Sequence, residues 1–218
     1  MKSVLIIGMG RFGQHLACKM KALGNDVMIV DRDADRINAI AEEFTDSHIG
    51  DCTNAAVIRS LGVKSMDLCF VSIGEDFQSS LIITSLLKRE GAKQVVAKAN
   101  QEIQAELLQQ IGADEIVYPE RDLAENLAVR YSANNVFDYV PLTPEYSIYE
   151  IPIPALWQGK TIMEVDVRRK HKINIVAVKS GGILQPTPGA DYVFRPEDHI
   201  VVIGRSSDVL KISAKKKH

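Results

Sequence analysis

The 218-residue sequence has few cysteines, no excess of charge of either sign and no long apolar run, and each shortage removes a class of function. Cys18, Cys52 and Cys69 are an odd number in unrelated contexts, without a Cys-x-x-Cys pair. Reduced thiols in a cytoplasmic protein are expected, and a zinc site is not. With 26 Lys and Arg against 28 Asp and Glu the net charge is −2, which offers no global attraction for nucleic acid. The basic end Lys215-Lys216-Lys217-His218 reads as a solvated tail or a cloning remnant. No apolar stretch approaches the roughly 18 to 20 residues needed to cross a bilayer, so no direct membrane insertion is expected. The chain start lacks a charged region followed by a long apolar run, so no secretory signal is expected either.

Catalytic groupings are equally scarce. His15 falls on the outer part of a helical pattern, His48 precedes a strand turn, and His171 and His199 lie far along the chain. No Ser-His-Asp order, paired histidines or Lys-Tyr pair suited to proton transfer can be assembled. The pattern predicts a site that binds and reports.

What is present is organised around the first thirty-one residues. An apolar run, Val4-Leu5-Ile6-Ile7, leads through Gly8-Met9-Gly10-Arg11-Phe12-Gly13 into a helical stripe of Phe12, Leu16, Met20 and Leu23, closed by Gly24-Asn25. A second apolar run, Val27-Met28-Ile29-Val30, ends on Asp31. In this strand, turn, helix, strand order Gly8 allows the tight turn, Gly10 lets backbone approach a diphosphate, and Gly13 lets the helix lie close on the sheet. The helix N-terminus offers N–H groups and the positive dipole end to an anion. Asp31 is placed to accept hydrogen bonds from both ribose hydroxyls and to repel a 2′-phosphate, so ATP, ADP or NAD is expected in preference to NADP.

Further strands are predicted around Ser47-His48-Ile49, Leu68 to Ile73, Gln94 to Lys98 and Glu115 to Tyr118, with helices between them. Thr53 or Asn54 caps one short helix. Residues 76 to 90 read as the longest helix, apolar over so wide an arc (Leu81, Ile82, Ile83, Leu86, Leu87) that packing against another subunit is expected. Six strands alternating with helices make an α/β fold, a Rossmann-like doubly wound parallel sheet. After Asn134-Asn135 prolines at 141, 144, 152 and 154 punctuate short β-rich runs. A strand over 146–153, one helix over 162–171, a strand over 173–179, a Gly181-Gly182 hairpin and a strand from His199 predict a smaller C-terminal α+β lobe. The expected domains are 1–135 and 136–218.

Gly10, Asp31, Asp51, Gly74 and Glu120 converge at the carboxyl ends of the strands. Arg11 stands where a guanidinium meets phosphate, or is a solvated loop arginine. Asp51 meets the adenine or ribose, or closes a strand-end turn or helix cap. Arg32 covers the nucleotide or stays on the surface. Glu120, beside a polyphosphate, is either repelled, joined to it through a divalent cation, or stabilised by a helix N-terminus together with Asp122.

Several ordered segments carry a family resemblance: VLIIGMGRFGQHLA (4–17), IVDRD (29–33), HIGDCTN (48–54), VSIGED (71–76), VVAKANQ (95–101) and IGADEIVYPERDLAENLA (111–128). They resemble the RCK, or KTN, domains of bacterial potassium-uptake regulators of the KtrA and TrkA type, and the region after 135 is similar to the TrkA-C lobe. The resemblance implies a regulatory, non-enzymatic gating subunit on the cytoplasmic face, forming homodimers and an octameric ring beneath a membrane-embedded potassium-translocating subunit of the KtrB or TrkH kind. It implies ATP or ADP, alternatively NAD or NADH, on Gly8, Gly10, Arg11, Phe12, Gly13, Asp31, Arg32, Asp51, Cys52, Gly74, Lys98 and Glu120. It also implies Mg²⁺ or Ca²⁺ at Glu120, and cyclic di-AMP near Arg168, Arg169, Asn174 and Ile175. The alternatives are an NAD-dependent oxidoreductase and an NAD(H) redox sensor.

Overall fold

The computed structural model describes residues 1–132 and 137–213; the expected boundary at 135/136 and the basic end at 215–218 lie outside the described residues. By internal contacts the chain divides into two compact units, Met1–Glu120 and Arg121–His218.

The first unit is a six-stranded sheet ordered β3-β2-β1-β4-β5-β6, every paired strand parallel. Its strands are β1 (Ser3–Ile7), β2 (Asp26–Asp31), β3 (Asp46–Ile49), β4 (Leu68–Val71), β5 (Val95–Lys98) and β6 (Glu115–Val117). The helices between them are α1 (Arg11–Ala22), α2 (Ala34–Asn38), α3 (Ala55–Ser60), α4 (Phe77–Arg89) and α5 (Glu102–Gln110). The continuous apolar run of β1 is explained by two cores. Leu5 and Ile7 enter a cluster with Val71, Ile83, Leu87 and Val95, while Val4 and Ile6 enter another with Ala17, Ile29, Ile37 and Phe44. Successive side chains point to opposite faces, so a strand covered on both sides has to be apolar at every position.

α6 (Pro119–Ser132) begins at the end of this unit and, with 14 residues against 13 in α4, is the longest helix described, which corrects the expectation for residues 76 to 90. The apolar arc of α4 is buried in part within the chain. Its buried face holds Ser80, Ile83, Thr84, Leu86 and Leu87, whereas Ile82 is exposed.

The second unit is built on an antiparallel sheet ordered β10-β9-β11-β8-β7. Its strands are β7 (Asp138–Pro141), β8 (Tyr146–Pro152), β9 (Ile173–Ser180), β10 (Ile183–Pro186) and β11 (His199–Arg205). Alternation along β8 buries Tyr149 and Ile151 in a core with Trp157, Phe194, Ile200 and Val202. The single helix expected over 162–171 is two, α7 (Ile162–Val165) and α8 (Val167–His171), because Asp166 takes a left-handed conformation at φ 51°. A last helix, α9 (Ser206–Ser213), follows β11.

Two predictions follow from these packings. A Cβ on Gly13 would stand 2.0 Å from the Gly8 carbonyl oxygen, which is backbone and cannot step aside. Gly13→Ala is expected to lower the unfolding free energy by about 1–3 kcal/mol in urea titrations. In the second unit Asp198 is fully buried and accepts from the Tyr192 hydroxyl (2.8 Å) and the Arg195 N–H (2.9 Å). Burial pushes its carboxyl up, but these donors more than offset that and hold it below the usual range. Because the folded value is depressed, the anion's contribution is complete above the unfolded value of about 3.9 and is lost as pH falls through the folded value. Asp198→Asn should therefore cost about 1.5–3 kcal/mol at pH 7, with the gap to wild type narrowing below pH 4.

Candidate functional site

A cleft of about 730 Å³ opens over the carboxyl ends of β1, β2, β4 and β5. The strand order reverses between β1 and β4, so loops leaving them diverge and leave the crevice in which ligands of open α/β sheets sit. Gly8, Gly10, Arg11, Phe12, Asp31, Arg32, Asp51, Cys52, Gly74, Lys98 and Glu120 all line it. Of the first-unit candidates only Gly13 does not. It is buried in the first turn of α1, where it permits the close approach of helix to loop. Arg168, Arg169, Asn174 and Ile175 belong to the second unit, the first two exposed on α8 and the others on β9.

The glycine turn is fixed from three sides. Gly8 has φ 99°, a region that favours glycine, and its N–H donates to the Val30 carbonyl (2.8 Å). The Ser72 hydroxyl, at the end of β4, is shared between the carbonyls of Ile7 and Gly8. Asp31, only 7% exposed, accepts from the Met9 N–H through Oδ2 (2.6 Å) and from the Asp33 N–H through Oδ1 (2.8 Å). Each of its oxygens retains a lone pair for a ribose hydroxyl.

The start of α1 is open. Asp33, Asn54 and Asp76 cap α2, α3 and α4 with their side chains, whereas α1 starts at Gly10 with no side-chain cap and no acid in its first turn. A Cβ at Gly10 would meet nothing within 4 Å, so backbone there is accessible. α5 also lacks a side-chain cap but has Glu102 in its first turn, so α1 alone of these helices combines open N–H groups with no acid beside them at the cleft, an arrangement that can receive an anion.

Asp51 accepts from the N–H (2.9 Å) and hydroxyl (2.7 Å) of Thr53 through one oxygen, which lowers its carboxyl below the usual range. That is the strand-end turn foreseen for it, and Asp51 also lines the cleft. Asn54 rather than Thr53 caps α3. Arg32 pairs with Asp76 at 3.4 Å, both well exposed. Cys52 is buried, and burial pushes its thiol up to about 12, so it contributes a neutral wall. Cys69 is buried likewise, whereas Cys18 is half-buried. At the far end Lys98 Nζ donates to Glu120 Oε1 (2.7 Å) and lies 5.6 Å from the centroid of the Phe12 ring. The Lys98 ammonium is the leading reason that the Glu120 carboxyl lies below its usual range. Among the described residues no three His, Cys, Asp or Glu side chains gather where they could hold a metal ion. In the single chain Glu120 is paired with Lys98.

Sequence reasoning missed Ser72, Asn100 and Asp76. The Asn100 amide donates to the Gly74 carbonyl (2.6 Å) and a Cβ on Gly74 would come within 2.9 Å of it, so the β4 and β5 loops are clamped together. All three lie in the VSIGED and VVAKANQ segments, where polar residues at strand ends were the available signal.

Comparison with known proteins agrees with this architecture. The TrkA-N domain family matches residues 4–119 and the TrkA-C domain family residues 147–217. The chain is 37% identical over 217 residues to Ktr system potassium uptake protein C of Bacillus subtilis (strain 168), covering all of this chain and 98% of that protein. It is 32% identical over 208 residues to Ktr system potassium uptake protein A of the same organism, covering 95% and 94%. Among solved structures it superposes on the GsuK channel bound to NAD with a TM-score of 0.70 at 21% identity, covering all of this chain and 40% of that one. That likeness shows the fold. No described helix is long and apolar enough to cross a membrane. The family implied by the ordered motifs is the family found: the chain belongs to the TrkA-N/TrkA-C family of Ktr-type potassium uptake proteins.

Proposed function

We propose that this chain is a nucleotide-sensing gating subunit of a potassium uptake system, working through a membrane-embedded potassium-translocating partner rather than by catalysis. The observation that carries the nucleotide part is the uncapped start of α1 beside Gly10, facing a cleft whose other wall holds the Asp31 carboxylate. In this reading the diphosphate lies on the glycine turn, the ribose on Asp31 and the adenine toward Asp51, with Arg11, Phe12, Arg32, Cys52 and Gly74 around them. The cleft lining contains neither histidine nor tyrosine, and its lysine is paired with Glu120. That composition favours binding over hydride transfer.

ATP or ADP is the favoured ligand, because the cleft carries cations at its far end as well as at the turn. NAD(H) sensing is the second reading, favoured by the NAD-bound GsuK neighbour. Mg²⁺ or Ca²⁺ at Glu120 would need oxygens from a bound phosphate, since the chain's own donor there is one carboxylate already paired. The chain is read as a cytoplasmic protein of two functional lobes, residues 1–135 and 136–218, that forms homodimers and an octameric ring. A ligand shifts such a ring only through its differential affinity for two shapes, and about 1 kcal/mol per site would bias eight sites by about 8 kcal/mol. Cyclic di-AMP is proposed near Arg168, Arg169, Asn174 and Ile175, supported by the exposed guanidinium groups on α8 beside β9.

Native mass spectrometry with ATP, ADP, NAD, NADH and NADP should show an octamer carrying ATP or ADP and no NADP. Asp31→Asn should weaken ATP binding by about 10- to 100-fold in calorimetry. Undiminished ATP affinity would remove the ribose assignment, and tighter binding of NADH than of ATP would move the reading to redox sensing. For the second lobe, equilibrium dialysis should show cyclic di-AMP binding to wild type and its loss in an Arg168→Ala, Arg169→Ala double variant.

A further inference from the structure

On the second unit Lys179 pairs with Glu150, Arg205 with Glu145 and Lys211 with Asp208. α8 carries cations with no such partner. Its residues Arg168, Arg169 and Lys170, together with Lys172 just after it, set four permanent positive charges within five residues, all exposed and none in an ion pair among the described residues. The acids nearest in sequence do not answer them: Glu164 accepts from the Thr161 N–H (2.7 Å) and hydroxyl (3.0 Å), and Asp166, the residue before α8, forms no ion pair. A cation in the last turn of a helix favours the negative dipole end, but one is enough, and four like charges so close repel one another. Apolar side chains project beside them. Leu156, on the short turn Ala155–Trp157, is 72% exposed, and Met163, on α7, is 69% exposed. The Trp157 ring packs on His171 at 5.0 Å, so the turn that carries Leu156 lies beside the end of α8, and only Asp166 separates α7 from α8.

We propose that this surface docks on an anionic lipid bilayer, with Lys170 and Lys172 at the headgroups and Leu156 and Met163 entering the boundary below them. Charge complementarity selects an anion. The apolar pair selects a bilayer, because a small soluble anion leaves exposed Leu and Met side chains in water, whereas the boundary between headgroups and acyl chains receives both kinds of group at once. Potassium uptake takes place across a membrane, and no described helix of this chain is long and apolar enough to span one, so a surface contact of this kind adds to whatever a membrane-embedded partner supplies. The net charge of −2 gives the chain as a whole no attraction to an anionic surface. Attraction confined to α8 therefore orients the second unit as well as holding it. The inference is independent of the nucleotide and cyclic di-AMP readings.

Co-sedimentation of the full chain with vesicles tests this, with urea midpoints confirming that each variant is folded. Wild type should bind vesicles of equimolar phosphatidylglycerol and phosphatidylcholine at low ionic strength and leave vesicles of phosphatidylcholine alone unbound. Lys170→Gln with Lys172→Gln, which keeps Arg168 and Arg169 in place, should weaken that binding by about 30-fold, the scale of two lysines at an anionic surface. Leu156→Ser with Met163→Ser should weaken it by about 10-fold. The basic end is a separate source of charge, so Lys215→Gln, Lys216→Gln and Lys217→Gln together should cost less than the α8 pair. No binding by wild type, equal binding to both kinds of vesicle, or binding kept in the Lys170, Lys172 variant overturns the docking surface. Full binding by the Leu156, Met163 variant overturns the bilayer as its occupant and leaves the cations to a soluble polyanion.

Discussion

The close approach of Gly13 to the Gly8 carbonyl is the constraint on which the first unit depends. With no side chain at 13, α1 lies against the turn that feeds it, and its N-terminal dipole end is held at the mouth of the cleft instead of a side chain's width away. The other restraints act on the same few atoms. Ser72 ties the turn to β4, the Gly8 N–H ties it to β2, and Asp31 takes the Met9 N–H. A turn tied to the strands on both sides of β1 is preorganised, so an anion binding there would cost little further ordering.

Asp31 therefore acts twice. A carboxylate at 7% exposure would be unfavourable alone, and the two backbone N–H groups compensate it. Asp31 also faces the Arg36 guanidinium at 3.8 Å and lines the cleft. The proposed ribose contact and the turn geometry thus share one side chain, so altering Asp31 would disturb both.

How far the sequence discloses this depends on whether a feature is local. The glycine turn, Asp31 at the end of the second apolar run and the six alternating strands were legible because each follows from spacing within about thirty residues. The break at Asp166 was not, since the left-handed conformation falls on an aspartate between two short helical patterns and no glycine marks it. Ser72 and Asn100 were hidden for another reason. Their partners, Gly8 and Gly74, are 64 and 26 residues away, and only the folded sheet brings them together. The Lys98–Glu120 pair combines both cases: each residue could be placed at the cleft, but their bond to one another could not.

The charges of the cleft also explain why a site for polyanions should contain carboxylates at all. Three ion pairs lie among its lining residues: Arg32 with Asp76 and Lys98 with Glu120, which join elements that follow different strands, and Arg36 with Asp31 at 3.8 Å. The first, at 3.4 Å with both partners well exposed, is a surface pair whose net contribution is near zero to about 1 kcal/mol. The second has a shielded ammonium at 2.7 Å, where solvent screens less and the attraction is correspondingly stronger. Without these acids the cations would bind any passing anion, and occupancy would carry little information. With them, these two cations are each already matched by a carboxylate of the chain.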